Sequence, residues 1–247
     1  MENELRPFWN KIFRFNWKFG LFLIIIICVP RFLLVLNANV TGNYGLIGLV
    51  MLLSAIAPFI FLSKHGRKTI GITRPKNYRW LLIAFIAGLF LSFLLHYIGT
   101  GLYGNSYQNW YSYIGRSYKI PPAIQANDKA ILFTIMALTG MTFSPIGEEL
   151  FFRGIVHAGF ARSIGETRAS VVDSAAFALV HISHFGLLYI NNQWRFMTWP
   201  TLIWVLSMFL ASSLFFIFKK YSGSILGAII CHAAFNLGMI YCIFYLL

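Results

Sequence analysis

Apolar residues dominate the chain in long runs separated by short polar clusters. Seven runs stand out, near 18–36, 45–62, 80–98, 130–147, 169–187, 200–218 and 223–245. Each is close to the roughly 20 residues a helix needs to cross a bilayer core of about 30 Å. The first is interrupted by Pro30-Arg31, and the fourth continues without a break signal into "SPIGEELFFRGIVHAG" at 144–159. Between the third and fourth lies a stretch rich in Gly, Tyr, Asn and Ser, roughly 99–128, with Pro121-Pro122 inside it. It reads as an interfacial loop with aromatic anchors. The pattern predicts an all-α, polytopic helix bundle of about seven spans, formed by a single membrane domain over residues 1–247.

Composition agrees with this reading. Of the 247 residues, 58% are hydrophobic and only 11% carry charge, which excludes an ordinary soluble domain. The formal charge of +13 does not mark a nucleic-acid binder, because the basic residues lie between apolar runs rather than on one soluble face. They fix topology instead. Arg6, Lys11, Arg14 and Lys18, the six Lys/Arg of 63–79, the three of 148–168, and Lys219-Lys220 would share one side. Arg116, Lys119, Lys129 and Arg195 would share the other, leaving Arg31 inside a span. The positive-inside rule then predicts a multi-pass protein of the cell membrane with a cytoplasmic N-terminus and an external C-terminus. The first run leads on without a small-residue cleavage site, so it is expected to be retained. Cys28, Cys231 and Cys242 fall within apolar runs and read as packing residues.

Two of the seven acidic residues, Glu148 and Glu149, stand side by side where the fourth run ends. A carboxylate near hydrocarbon is expensive and marks function or a buried pairing. Glu149 and Arg153 are four apart on one helix face, with Glu on the N-terminal side, the favourable order for an ion pair. Glu148 points about 100° away and has no partner on its helix, so it reads as the freer carboxylate and a candidate general base. His181, about twelve residues into the fifth run, would lie roughly 18 Å deep, and His232 and Asn236 in the seventh roughly 12–20 Å deep. These groups enter from one membrane face at comparable depth. His184 can share the face of His181. Asp173 reads as structural, paired with Arg168 or a neighbouring helix, and His65, His96 and His157 carry little signal. There is no HExxH, no GxSxG, and no pair of aspartates placed for an intramembrane aspartyl protease.

"EELFFR" (148–153) fits EExxxR, "FALVH" (177–181) fits FxxxH, and "HAAFN" (232–236) fits HxxxN. In these three motifs, in this order, residues 148–236 resemble the CPBP intramembrane proteases, also called the Abi or CAAX-protease-like family. The resemblance implies a helix bundle with a water-accessible intramembrane cavity that hydrolyses a peptide bond of a membrane-associated peptide or protein. It implies that Glu148 and His181 activate the water and that His232 and Asn236 stabilise the oxyanion. Glu149 and Arg153 would hold the first pair in place. Glu148, His181 and His232 can also hold zinc with an open water position, and a metal-free glutamate mechanism is equally writable. The compact chain resembles bacterial members. A non-catalytic immunity or regulatory protein and a proton-coupled transporter are the competing classes, the latter disfavoured by the lack of an inverted repeat.

Overall fold

The computed structural model describes residues 3–247. Eleven helices follow one another, four of them short: α1 Pro7–Asn10, α2 Trp17–Thr41, α3 Gly45–Phe61, α4 Lys64–Thr69, α5 Arg79–Tyr103 and α6 Trp110–Gly115, then α7 Ala126–Glu148, α8 His157–Ile164, α9 Glu166–Val180, α10 Thr198–Ser222 and α11 Ile225–Tyr245. A hairpin, β1 Leu187–Ile190 and β2 Gln193–Phe196, lies between α9 and α10. Its two turn residues, Asn191 and Asn192, have φ of 52° and 60°. Asn tolerates that left-handed geometry, which matches the twist of a two-residue hairpin.

Five stretches are long and apolar enough to cross a membrane: Trp17–Thr41, Arg79–Tyr103, Ala126–Ile164, Thr198–Ser222 and Ile225–Tyr245, with Gly45–Phe61 as a further apolar helix. The chain is therefore a multi-pass membrane protein with an all-α bundle. The expected fifth span, 169–187, is the exception. Its helix is α9, only 15 residues long, or about 22 Å by helical rise. Glu166, Arg168 and Asp173 lower its hydropathy, and the chain turns at His181. Pro30 does not break the first span, since α2 runs through it. Two aromatics of 99–128 are not interfacial anchors: Trp110 and Tyr111 are fully buried on α6, whereas Tyr107 is exposed. Trp110 stacks on Trp204, and the Tyr111 hydroxyl lies 2.9 Å from Ser92 Oγ.

Close backbone approach sets the two contacts that matter most for the site. A Cβ on Gly88 of α5 would collide with the Cys231 carbonyl of α11. One on Gly147 of α7 would lie 2.5 Å from the Met51 carbonyl oxygen of α3. Small residues let membrane helices pack this tightly, and here they hold the helices that carry His232 and Glu148.

The basic segments converge at one end of the bundle. Ser63 N–H donates to Glu4 O, and Arg162 pairs with the Glu4 carboxylate at 3.3 Å. Lys76 N–H donates to Ser222 O, and Ile225 N–H to Gly71 O, each at 2.8 Å. At the far end, Asn39 Nδ2 donates to Ser183 O (2.8 Å), and Tyr113 Oη accepts from Tyr189 N–H (2.9 Å).

Candidate active site within the helical bundle

Helix α7 ends at Glu148, and the next eight residues, Glu149–Val156, wind more loosely as a π-helical segment. The His157 N–H reaches back five residues to Phe152 O. Such segments are rare and recur at functional sites. All eight residues are buried. The EExxxR motif therefore does not sit on the regular α-helix assumed from spacing.

Glu148 is 2% exposed. Its Oε1 accepts from Arg31 Nη2 at 2.9 Å and from Ser144 Oγ at 2.6 Å. This corrects the expectation of a free carboxylate: the partner comes from α2, out of reach of any single-helix argument. Oε2 has no hydrogen-bond partner and lies 3.8 Å from His181 Nε2. His181 opens the 3₁₀ turn His181–Ser183 directly after α9. Its Nδ1 is 2.7 Å from Phe177 O, and a carbonyl only accepts, so Nδ1 carries the hydrogen and Nε2 is a lone pair. Trp204 Nε1 donates to the His181 carbonyl at 3.2 Å and fixes that turn.

Glu149 serves a second set. Its Oε1 lies 2.7 Å from His232 Nδ1, and its Oε2 lies 3.2 Å from Arg153 Nε. The expected Glu149–Arg153 pair is thus present, fully buried, although its angle is too poor for a hydrogen bond. The Arg153 guanidinium also lies 4.3 Å above the Phe177 ring and 5.2 Å above Phe215. Those ring faces favour a desolvated cation. Phe215 in turn stacks on the His232 ring at 4.7 Å. Asn236, one turn beyond His232, donates through Nδ2 to Gly140 O at 2.9 Å. His232 is therefore tethered to Glu149.

Both sets face one cavity of about 360 Å³, lined by Arg31, Glu148, His181, His232 and Asn236 together with an apolar wall. Met51, Met136, Met208 and Met239 contribute to that wall, and their unbranched thioethers adapt to varied apolar shapes. At its edges, outside the spans, burial pushes the Tyr44 phenol up to about 12 and the Tyr118 phenol higher still, so both remain protonated donors.

Residues 130–238 match the family model described as type II CAAX prenyl endopeptidase Rce1-like. That stretch is similar to an Rce1-like domain. No curated protein and no solved structure matches the chain. The match agrees with the CPBP resemblance of the three motifs, and the family's general activity is that of an intramembrane endopeptidase. It does not include Arg31.

His181 and His232 are the histidines that could hold zinc together with Glu148. Both histidines have Nδ1 anchored, as metal-bound histidines usually do. However, a guanidinium occupies Glu148, and among the described residues no three His, Cys, Asp or Glu side chains are grouped to hold a metal.

Four features of the domain and its surroundings lay outside the sequence-based site. Arg31 and Ser144 hold Glu148, and His184 lines the cavity with Nε2 unpartnered, its ring 5.4 Å from that of His181. The fourth is a clasp between α8 and α9: His157 Nδ1 to Asp173 Oδ2 at 2.6 Å, and Nε2 to Glu166 Oε2 at 2.8 Å. The hydrogen bond from His157 holds the Glu166 carboxyl below its ordinary range, against partial burial. Arg31 did carry a signal, since a cation within an apolar span must face a partner inside the bundle. Ser144 carried one too, four residues before Glu148.

Proposed function

We propose that the chain is an intramembrane endopeptidase in which Glu148 and His181 together activate a water. The observation that carries this reading is Glu148 Oε2, buried without a hydrogen-bond partner and 3.8 Å from His181 Nε2 at the cavity. With the His181 ring neutral, Nε2 is an acceptor as well, and one donor can serve both. A water about 2.8 Å from each would donate to both and turn a lone pair towards a bound peptide carbonyl. Glu148 takes the proton as the C–O bond forms and later delivers it to the leaving amine, the usual division of labour for a general base.

The developing oxyanion needs donors. His232, held by Glu149 through Nδ1, lines the cavity and can donate from Nε2 when its ring carries both hydrogens. Asn236 spends one amide hydrogen on Gly140 and keeps the other. Such preorganised donors act strongly in a site shielded from bulk water. The mechanism needs no metal, in keeping with the guanidinium on Glu148. The substrate is a membrane-associated peptide or protein whose apolar side chains suit the methionine-lined wall.

The test is comparative peptidomics of cells expressing wild-type protein, His181→Ala or Glu148→Gln. His181→Ala leaves both buried ion pairs intact. Cleavage products present with wild type and absent with both variants are expected, corresponding to a loss of roughly 10²- to 10⁴-fold. Identical peptidomes at equal expression would remove the hydrolytic reading.

A further inference from the structure

Arg31 is 3% exposed, lies in the apolar run of α2, and falls outside both the matched segment and the three motifs. Its Nη2 lies 2.9 Å from Glu148 Oε1, the oxygen that also accepts from Ser144 Oγ. Its Nε is buried without a hydrogen-bond partner, and the side chain lines the cavity. Oε1 is therefore occupied by two donors, while Oε2 is left with none and faces His181 Nε2.

We propose that Arg31 is a positioning residue of the hydrolytic site: with Ser144 it pins Glu148 Oε1, so that Oε2 alone is presented to the water and to His181. This rests on the hydrolytic reading above. A carboxylate rotates readily about its terminal torsion. Without a fixed partner either oxygen would face the cavity, and the 3.8 Å spacing to His181 would be lost. Arg31 also supplies the counter-charge that lets a buried Glu148 remain an acceptor. Reaching in from α2, it cannot be replaced by any residue of the matched segment, whose own arginine, Arg153, is committed to Glu149.

Two measurements test this on detergent-purified full-length protein. In the first, turnover of an internally quenched prenylated peptide ending in a CAAX sequence is followed for Arg31→Met, Arg31→Lys and Arg31→Ala. Misplacing a reacting group by about 1 Å costs roughly 10²-fold, so Arg31→Met should lower kcat by about that factor with KM little changed. Arg31→Lys should retain part of the rate, and added guanidinium ion should restore part of it to Arg31→Ala but not to Glu148→Gln. In the second, melting temperatures are compared for Arg31→Met, Glu148→Gln and the double variant. Each single change strands one member of a buried pair, so the double variant should melt above Arg31→Met. Wild-type kcat in Arg31→Met would overturn the proposal. So would a loss spread equally over kcat and KM that guanidinium does not relieve. If wild-type protein cleaves neither this peptide nor any cellular product, the hydrolytic reading falls and Arg31's place in the reaction falls with it. The melting series then still reports whether the pair exists.

Discussion

Glu148 and Glu149 are neighbours in sequence, yet they answer to different cations and different histidines. Sequence spacing predicts half of this arrangement. The i, i+4 relation gives Glu149–Arg153, because both ends of that pair lie on one segment. Ser144, four residues before Glu148 on α7, was within reach of the same argument, but Arg31 and the partner of His232 come from other segments, to which a single-helix argument has no access. Arg153 is fully buried, and among the described residues Glu149 is its only ion-pair partner. Replacing Arg153 by Met should therefore cost about 3–5 kcal/mol, since Glu149 is left buried with His232 alone. A fall in melting temperature in detergent checks this. The charge-swapped pair, Glu149→Arg with Arg153→Glu, should fail to restore the protein. It would set a guanidinium against His232 Nδ1, where a carboxylate oxygen now stands 2.7 Å away.

At the scale of elements, long apolar runs announced nearly every large helix, because burial and lipid exposure both select the same side chains. The exceptions are instructive. The π-helical turn was not legible, since the four-residue spacing of Glu149 and Arg153 reads equally as a regular α-helix. The hairpin was announced only by Asn191-Asn192 between "LLYI" and "QWRF", a turn signal easily absorbed into the adjoining apolar runs. Helix α9 is shorter than its apolar pattern suggested, because polar residues at its start serve the clasp with α8 and the chain turns at His181, which belongs to the site. Packing between elements is sharper than sequence could show. Gly147→Ala adds one methyl group 2.5 Å from a backbone oxygen that no rotamer can move. It should destabilise the protein by about 1–3 kcal/mol and displace α3 from α7. Thermal unfolding, together with the rate of hydrolysis, is the check: both should fall, since Glu148 is the next residue.

For the whole molecule, the basic segments near Glu4, Arg162, Lys76 and Ser222 meet at one end, and from the Lys/Arg asymmetry we propose that this end faces the cytoplasm. A cysteine placed at Lys68 should react with an impermeant maleimide only from the cytoplasmic side, and one at Leu247 only from outside. Labelling of both from one face would reverse the assignment for one of them. The origin of Arg31 bears on how such a protein can be taken apart or recombined. The segment that carries the family resemblance is continuous in sequence, but the site built on it is not self-sufficient in space. Transplanting residues 130–238 into another helical scaffold would strand Glu148 without its cation and leave Gly147 with no α3 to receive it. The unit of inheritance seen along the chain is thus smaller than the unit of function, and α2 belongs to the latter.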